Sequence, residues 1–287
     1  MAGAEINSRG NELFIEGENP ESIDLITSII DELKNIAKQG KSPNPEIIKE
    51  IYHSITKEDG KNLSLFRDTY ISIPNGFSRV YPRSIQQAKY MEGMREYEMS
   101  FCTGPAGTGK TFIAVAHALE EVLSRKRRKL VLTRPVVEAG ENLGFLPGDL
   151  AQKINPYLRP LYDAMESLIP NEIINRMEDS RYIEIAPLAY MRGRSLKDCF
   201  IILDEAQNTT REQMKMFLTR LGEGSKAVIT GDVTQIDLPS KKGSGLLHAV
   251  SILGKIENIF INRFSARDVV RNPLVKKIIN AYESENK

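Results

Sequence analysis

Apolar residues fall into two different rhythms along this chain. In the first 60 residues they recur at helical spacing: Leu25, Ile26, Ile29, Ile30 and Leu33 line one face of a segment from Pro20 to Lys38, the pattern of an amphipathic helix. A Gly-Lys-Ser-Pro break follows, and a second helix is predicted over residues 45–54. With a short strand at residues 13–16 these make a small α/β module over 1–60, marginal unless it docks on something. Residues 61–80 read as a polar, extended connector carrying Ile71, Ile73 and Pro74.

From residue 81 the rhythm changes. Short continuous apolar runs at 97–103, before Thr133, at 200–203, 227–230 and 257–261 alternate with helical segments at 112–123 and after Thr209, with one long irregular insert. Strands buried on both faces read as continuous apolar runs, and their alternation with helices predicts a parallel sheet covered on both sides. The expected fold is therefore α/β, with the core over 81–287. The helix after Thr209 shows the local logic. Thr209-Thr-Arg-Glu212 has capping-box spacing, Met214, Phe217, Leu218 and Leu221 share a face, and Gly222 stops it.

Composition narrows the class. The 287 residues carry a net charge of +1, but residues 1–80 hold 9 basic against 13 acidic side chains and the remainder 30 against 25. A mildly basic core suits a polyanionic partner without demanding one. Cys102 and Cys199 fall in predicted core strands, so buried inert thiols are expected, and no metal-ligand or disulfide spacing is present. No long apolar run or secretory signal is seen, so no membrane partner and a cytoplasmic location are expected.

The chemistry sits at strand ends. Gly104-Pro105-Ala106-Gly107-Thr108-Gly109-Lys110-Thr111-Phe112 follows the strand at 97–103 and opens a helix. It matches the loop whose backbone N–H groups cradle nucleotide phosphates, with Lys110 on the β- and γ-phosphates and Thr111 on Mg²⁺. The run 200–203 ends in Asp204 and Glu205. Ligands bind outside the carboxyl ends of parallel strands, so Asp204 would hold Mg²⁺ and Glu205 would orient and deprotonate water. That favours hydrolysis over transfer to a small acceptor. The strand at 227–230 ends in Gly231-Asp232-Val-Thr-Gln235, bringing Gln235 or Asp232 near the γ-phosphate.

Taken in order, these motifs resemble the PhoH-like ATPase family, whose core is similar to one motor domain of superfamily 1 helicases. The match includes Gln87-Ala-Lys-Tyr90, the phosphate loop, Thr133-Arg134-Pro135, Gly140-Glu-Asn-Leu-Gly-Phe-Leu-Pro-Gly148, Tyr190-Met-Arg192-Gly-Arg194-Ser195, Leu203–Asn208, 213–220, 231–239 and Asp268-Val-Val-Arg271. The resemblance implies a RecA-like P-loop core behind a KH-like N-terminal module, Mg-ATP hydrolysis, and a homo-oligomeric, hexameric ring. It also implies single-stranded RNA as a partner, helicase-like action, and association with a YbeY-type endoribonuclease, for which the chain would alternatively serve as a nucleotide-dependent adaptor. A small-molecule kinase stays open as a third class.

Gln87 stands where helicase relatives recognise adenine, with Tyr90 placed to stack on the base; an exposed helical glutamine beside a core tyrosine is the alternative. With one motor domain, the missing arginine would come from a neighbouring subunit, and Arg263 or Arg271 are the candidates. Arg134, Arg192 and Arg194 are candidate nucleic-acid contacts, internal salt bridges or subunit contacts being the alternative. Residues 1–60 contain no G-x-x-G clamp, so assembly or docking is the role expected of them.

Overall fold

The N-terminal residues pair before they coil. The computed structural model describes residues 4–10, 12–17, 19–38, 40, 42–43, 45–57, 61–75, 77–135, 150–240 and 243–269. Strands β1 (Ala4–Arg9) and β2 (Glu12–Gly17) form an antiparallel hairpin with Ile6 opposite Ile15. Almost every residue of both strands is exposed. Residues 5–9 of β1 are all exposed, so that stretch buries no apolar face, and no alternation in the sequence announces the strand. Helices α1 (Pro20–Lys38), α2 (Pro45–Lys57) and α3 (Lys61–Asp68) follow, and Ile36, Ile47, Ile51, Leu63 and Phe66 form their buried centre with Ala88.

The chain divides into two compact units, 1–70 with 81–89, and 71–80 with the rest. Residues 61–80, read as a connector, are folded. They supply α3 to the first unit and a hairpin, β3 (Ile71–Ile73) with β4 (Ser78–Val80), to the second. Ile71 and Ile73 are buried there in the same apolar cluster as α5 (Lys110–Leu123), and Glu120 accepts from the Ser72 N–H at 2.9 Å.

The second unit is built on one six-stranded parallel sheet. Helix α4 (Ile85–Glu96) leads into β5 (Met99–Thr103), and α5 leads on to β6 (Lys129–Arg134). The expected irregular insert contains α6 (Leu150–Glu166), α7 (Asn171–Asp179) and an edge strand, β7 (Ile183–Pro187). The remaining elements are β8 (Cys199–Leu203), α8 (Arg211–Leu218), β9 (Lys226–Gly231), α9 (Gly245–Leu253) and β10 (Ile259–Arg263). The order across the sheet is β10-β5-β9-β8-β6-β7. Period-two alternation sends Phe200 and Ile202 to one core with α5, and Ile201 and Leu203 to the other with α8 and α9. The expected layering is thus the one observed. No helix among the described residues is long and apolar enough to cross a membrane.

Two local expectations shift. The capping box closes one residue later, from Thr210 to Gln213, because the buried Thr209 hydroxyl donates to the Ala206 carbonyl at 2.7 Å. Helix α8 stops at Leu218, before Gly222, whose N–H instead donates to the Leu196 carbonyl at 2.7 Å.

Gly93 on α4 faces the Phe260 ring of β10; a Cβ there would fall 2.2 Å from ring carbon Cε1. The ring is itself stacked on Tyr97 at a centroid distance of 5.4 Å. Gly93→Ala should therefore destabilise the protein by about 1–3 kcal/mol, lowering the thermal midpoint by roughly 2–4 °C per kcal/mol. The cost should shrink in a Phe260→Leu background. Equal costs in both backgrounds would show that α4 shifts to accommodate the methyl group.

Candidate active site

The carboxyl edge of the sheet carries the chemistry, and the strand order decides what meets there. Strand β9 lies between β5, which feeds the phosphate loop, and β8, which ends at Asp204. The polar end of β9 consequently links the two.

Gly104 leaves β5 at φ +146°, and its N–H donates to the Gly231 carbonyl at 3.2 Å. A Cβ at Gly104 would lie 2.6 Å from Phe264 Cβ and 2.7 Å from the Phe264 carbonyl oxygen, so only glycine fits. Gly107 and Gly109 hold left-handed φ values of 81° and 83°, turning the loop directly into α5. Thr108 is buried and its hydroxyl braces the loop on the Pro105 carbonyl at 2.9 Å. Asp232 Oδ2 accepts the Ala106 N–H at 3.0 Å, tying the loop to β9.

Lys110 is buried, and its Nζ donates to the carbonyls of Gly104 at 2.6 Å and Pro105 at 2.8 Å. Burial pushes its ammonium below the usual lysine value, while the charges of Asp232, Asp204 and Glu205 oppose that shift. Thr111 Oγ1 and Thr230 Oγ1 both donate to Asp204 Oδ1 at 2.7 Å. Glu205 begins a 3-10 turn, Ala206–Asn208, from φ 51° and ψ 36°, left-handed backbone for a non-glycine residue. Its Oε1 lies 2.8 Å from Arg134 Nη2, and its Oε2 accepts from Gln207 Nε2 at 2.5 Å.

Gln207 sits in the motif but had no role assigned from sequence. Its buried amide also donates to the Gln235 carbonyl at 3.1 Å, while its Oε1 accepts the Asp232 N–H at 3.0 Å. The signal for Gln207 and Thr230 was their position beside acids at strand ends, which becomes meaningful only once the strand order is known. Around these groups runs a cleft of about 270 Å³. Ala106, Gly107, Gly109, Lys110, Thr111, Phe112, Asp204, Glu205, Asp232 and Gln235 line it with Gly231. The phosphate loop, the acid pair and Gln235 thus converge as read from sequence.

Other candidates fall elsewhere. Tyr90 is fully buried, edge-on to Phe264 at 5.8 Å, with its hydroxyl on the Lys110 carbonyl at 3.3 Å. It supports α5 from within the core and presents no ring face to a base. Gln87 is buried and its Oε1 accepts the Arg83 N–H at 2.7 Å, so the amide serves the start of its own helix. Arg134 is engaged by Glu205, and Arg194 by both oxygens of Glu184 at 2.5 and 3.0 Å. Arg192 and Arg263 are exposed. Arg271 and the segment 140–148 lie outside the described residues.

A family model described as PhoH-like protein matches residues 79–283. The chain is 47% identical over 281 residues to a PhoH-like protein of Mycobacterium bovis, covering 97% of this chain and 79% of that protein. It is 43% identical over 284 residues to a PhoH-like protein of Bacillus subtilis, covering 98% and 88%. Among solved structures, the large terminase of a thermophilic bacteriophage matches with a TM-score of 0.45 at 12% identity, over 68% of this chain and 48% of its own.

The Glu184 cluster gives a test of whether Arg194 is structural. Hydrogen bonding to Arg194, assisted by Lys129, outweighs burial and holds the Glu184 carboxyl at about 2, against the ordinary 4.5. A depressed folded value contributes stability that is present above the unfolded value and is lost as pH falls toward 2. Denaturant unfolding should therefore show the advantage of the wild type over Glu184→Gln at full size above pH 5 and shrinking between pH 4.5 and 2. A gap independent of pH would remove Arg194 from this role.

Proposed function

The chain belongs to the PhoH-like protein family, and from that premise we propose that it hydrolyses ATP with Mg²⁺ and couples turnover to single-stranded RNA as a homo-oligomeric ring. The observation that carries the hydrolytic part is the convergence of Lys110, Thr111, Asp204 and Glu205 on one cleft.

The donor set suits Mg²⁺: Thr111 Oγ1 and Asp204 Oδ1 lie 2.7 Å apart, a hydroxyl and a carboxylate of the hard-oxygen kind this ion takes. Held there, the ion would offset charge on the transferring phosphoryl group. Lys110 would exchange its two loop carbonyls for phosphate oxygens, a trade of neutral acceptors for charged ones that a partly desolvated ammonium favours. Glu205 would accept a proton from water. The water oxygen bonds to the γ-phosphorus as the bond to the leaving oxygen of ADP breaks, giving ADP and inorganic phosphate. Gln235 shares the Gln207 amide with Glu205, so a change at the γ-phosphate reaches both through one side chain.

The ring part is supported by one edge of the sheet. Arg263 is exposed at the end of β10, beside Thr103 at the mouth of the phosphate loop, and outside the lining of its own cleft. That exposure supports a role on a neighbouring copy, of the kind arginines supplied in trans take in other phosphoryl-transfer sites.

Steady-state phosphate release from Mg-ATP tests the core of this reading. Glu205→Gln should lower turnover by about 10²–10⁴-fold while nucleotide binding persists, and single-stranded RNA should accelerate the wild type. Retained activity in Glu205→Gln would refute the assigned base. Wild-type turnover indifferent to RNA would favour a nucleotide-dependent adaptor for an endoribonuclease. Arg263→Ala should abolish turnover yet bind ATP, and mixing it with Glu205→Gln subunits should restore part of the activity; no recovery would exclude Arg263 as the trans group.

A further inference from the structure

Arg134 ends β6 with its Nη2 2.8 Å from Glu205 Oε1, and the pair is mostly but not wholly covered, at 18% and 35% exposure. The strand order puts β6 on the side of β8 away from β9 and β5. Arg134 therefore holds the Glu205 carboxylate from the side of β8 opposite to the phosphate loop. Gln207 holds the other carboxylate oxygen, and the left-handed backbone at Glu205 fixes where the side chain starts. An arginine on the far side of the strand restrains a base from the water it would activate. The open side of the pair lets a phosphate compete for the arginine, and a guanidinium fork is well matched to it.

The same edge offers more than one cation. Arg134 stands in register with Pro187 at the end of β7. The chain then makes a 3-10 turn, Leu188–Met191, pinned by the buried Leu188 and Met191, which leaves Tyr190 53% exposed and Arg192 exposed just after it. An aromatic ring on a fixed turn beside arginine suits a base stacked above a tracked backbone.

We propose that Arg134 is shared between Glu205 and a phosphodiester of a single strand lying across the carboxyl ends of β6 and β7. Strand binding moves the guanidinium off Glu205 and frees the carboxylate to take the proton from water. The inference rests on the reading of RNA-coupled ATP hydrolysis and deepens it by naming the residue that couples the two sites.

Phosphate release is measured for the wild type, Arg134→Gln and Tyr190→Ala, each alone and with a uridine or a thymidine homopolymer, alongside binding of a fluorescent ATP analogue. Arg134→Gln should raise turnover without polymer several-fold and flatten the response to polymer. Tyr190→Ala should raise the polymer concentration needed for half-maximal stimulation. Stimulation by both homopolymers, or by the RNA alone, supports the proposal and distinguishes the phosphodiester chain from the ribose as the ligand. Lower turnover in Arg134→Gln with nucleotide binding intact overturns it, since Arg134 would then position Glu205 for the reaction. Wild-type turnover unmoved by either polymer strikes the RNA reading itself, and the restraint is then decided by the polymer-free rate of Arg134→Gln alone. Should that variant fail to bind nucleotide, Arg134→Lys replaces it, keeping the charge without the fork. An unchanged polymer-free rate there overturns the restraint, and an intermediate rise supports it.

Discussion

Asp204 Oδ1 accepts two hydroxyls at 2.7 Å, one from Thr111 at the start of α5 and one from Thr230 on β9, while the Asp204 N–H donates to the Thr133 carbonyl at 2.9 Å. One buried aspartate thus joins the phosphate-loop helix to the ends of β8, β9 and β6. Short hydrogen bonds to a charged acceptor are the strong ones, and in a desolvated setting they leave little freedom in position. With β9 between the two functional strands, this junction requires β9 to end in small polar residues. Thr230 supplies a hydroxyl, and Gly231 leaves room for Gln207, whose Oε1 would sit 2.8 Å from any Cβ there.

Gln207 extends that junction in the other direction. A primary amide offers two donors and an acceptor, and here they meet Glu205, the Gln235 carbonyl and the Asp232 N–H. Asp232 in turn accepts from Ala106 in the loop. A continuous path of bonds therefore runs from the acid at the end of β8, across β9, to the loop at the end of β5. Its members are mostly buried and paired, the condition under which a polar network specifies one geometry instead of destabilising the core.

What the sequence disclosed follows from what is local. The phosphate loop, the acid pair and the strand that ends in Gly231-Asp232 are runs of neighbouring residues whose meaning is carried by composition, and all meet at the cleft. Pairings between distant segments were illegible. β1 exists only because β2 lies beside it, β7 is a five-residue edge strand, and α7 buries just Ile174 and Met177 among charged neighbours. The partners of the arginines were illegible for a related reason. A guanidinium beside a strand end looks the same whether it faces solvent or a carboxylate supplied from another segment, as Glu184 and Glu205 supply to Arg194 and Arg134. The burial of Tyr90 was illegible because spacing along α4 does not reveal which side of the helix is core.

The two edges of the sheet are held by different kinds of bond, and that contrast bears on what can move. At the amino edge Lys226 is buried, bonded to the carbonyls of Met94 and Arg95 and 3.6 Å from Glu121, with His117 3.5 Å from the same carboxylate. Burial lowers the Lys226 ammonium below its ordinary range, and Glu121 opposes that shift. Removing one member would strand another charge without water, so the cluster resists rearrangement and fixes α4, α5 and β9 against each other. At the carboxyl edge Lys110, Thr111 and Glu205 line a cleft, and their partners are carbonyls, a carboxylate and a guanidinium. The side chains at the carboxyl edge thus border open space, while those at the amino edge are enclosed by their partners.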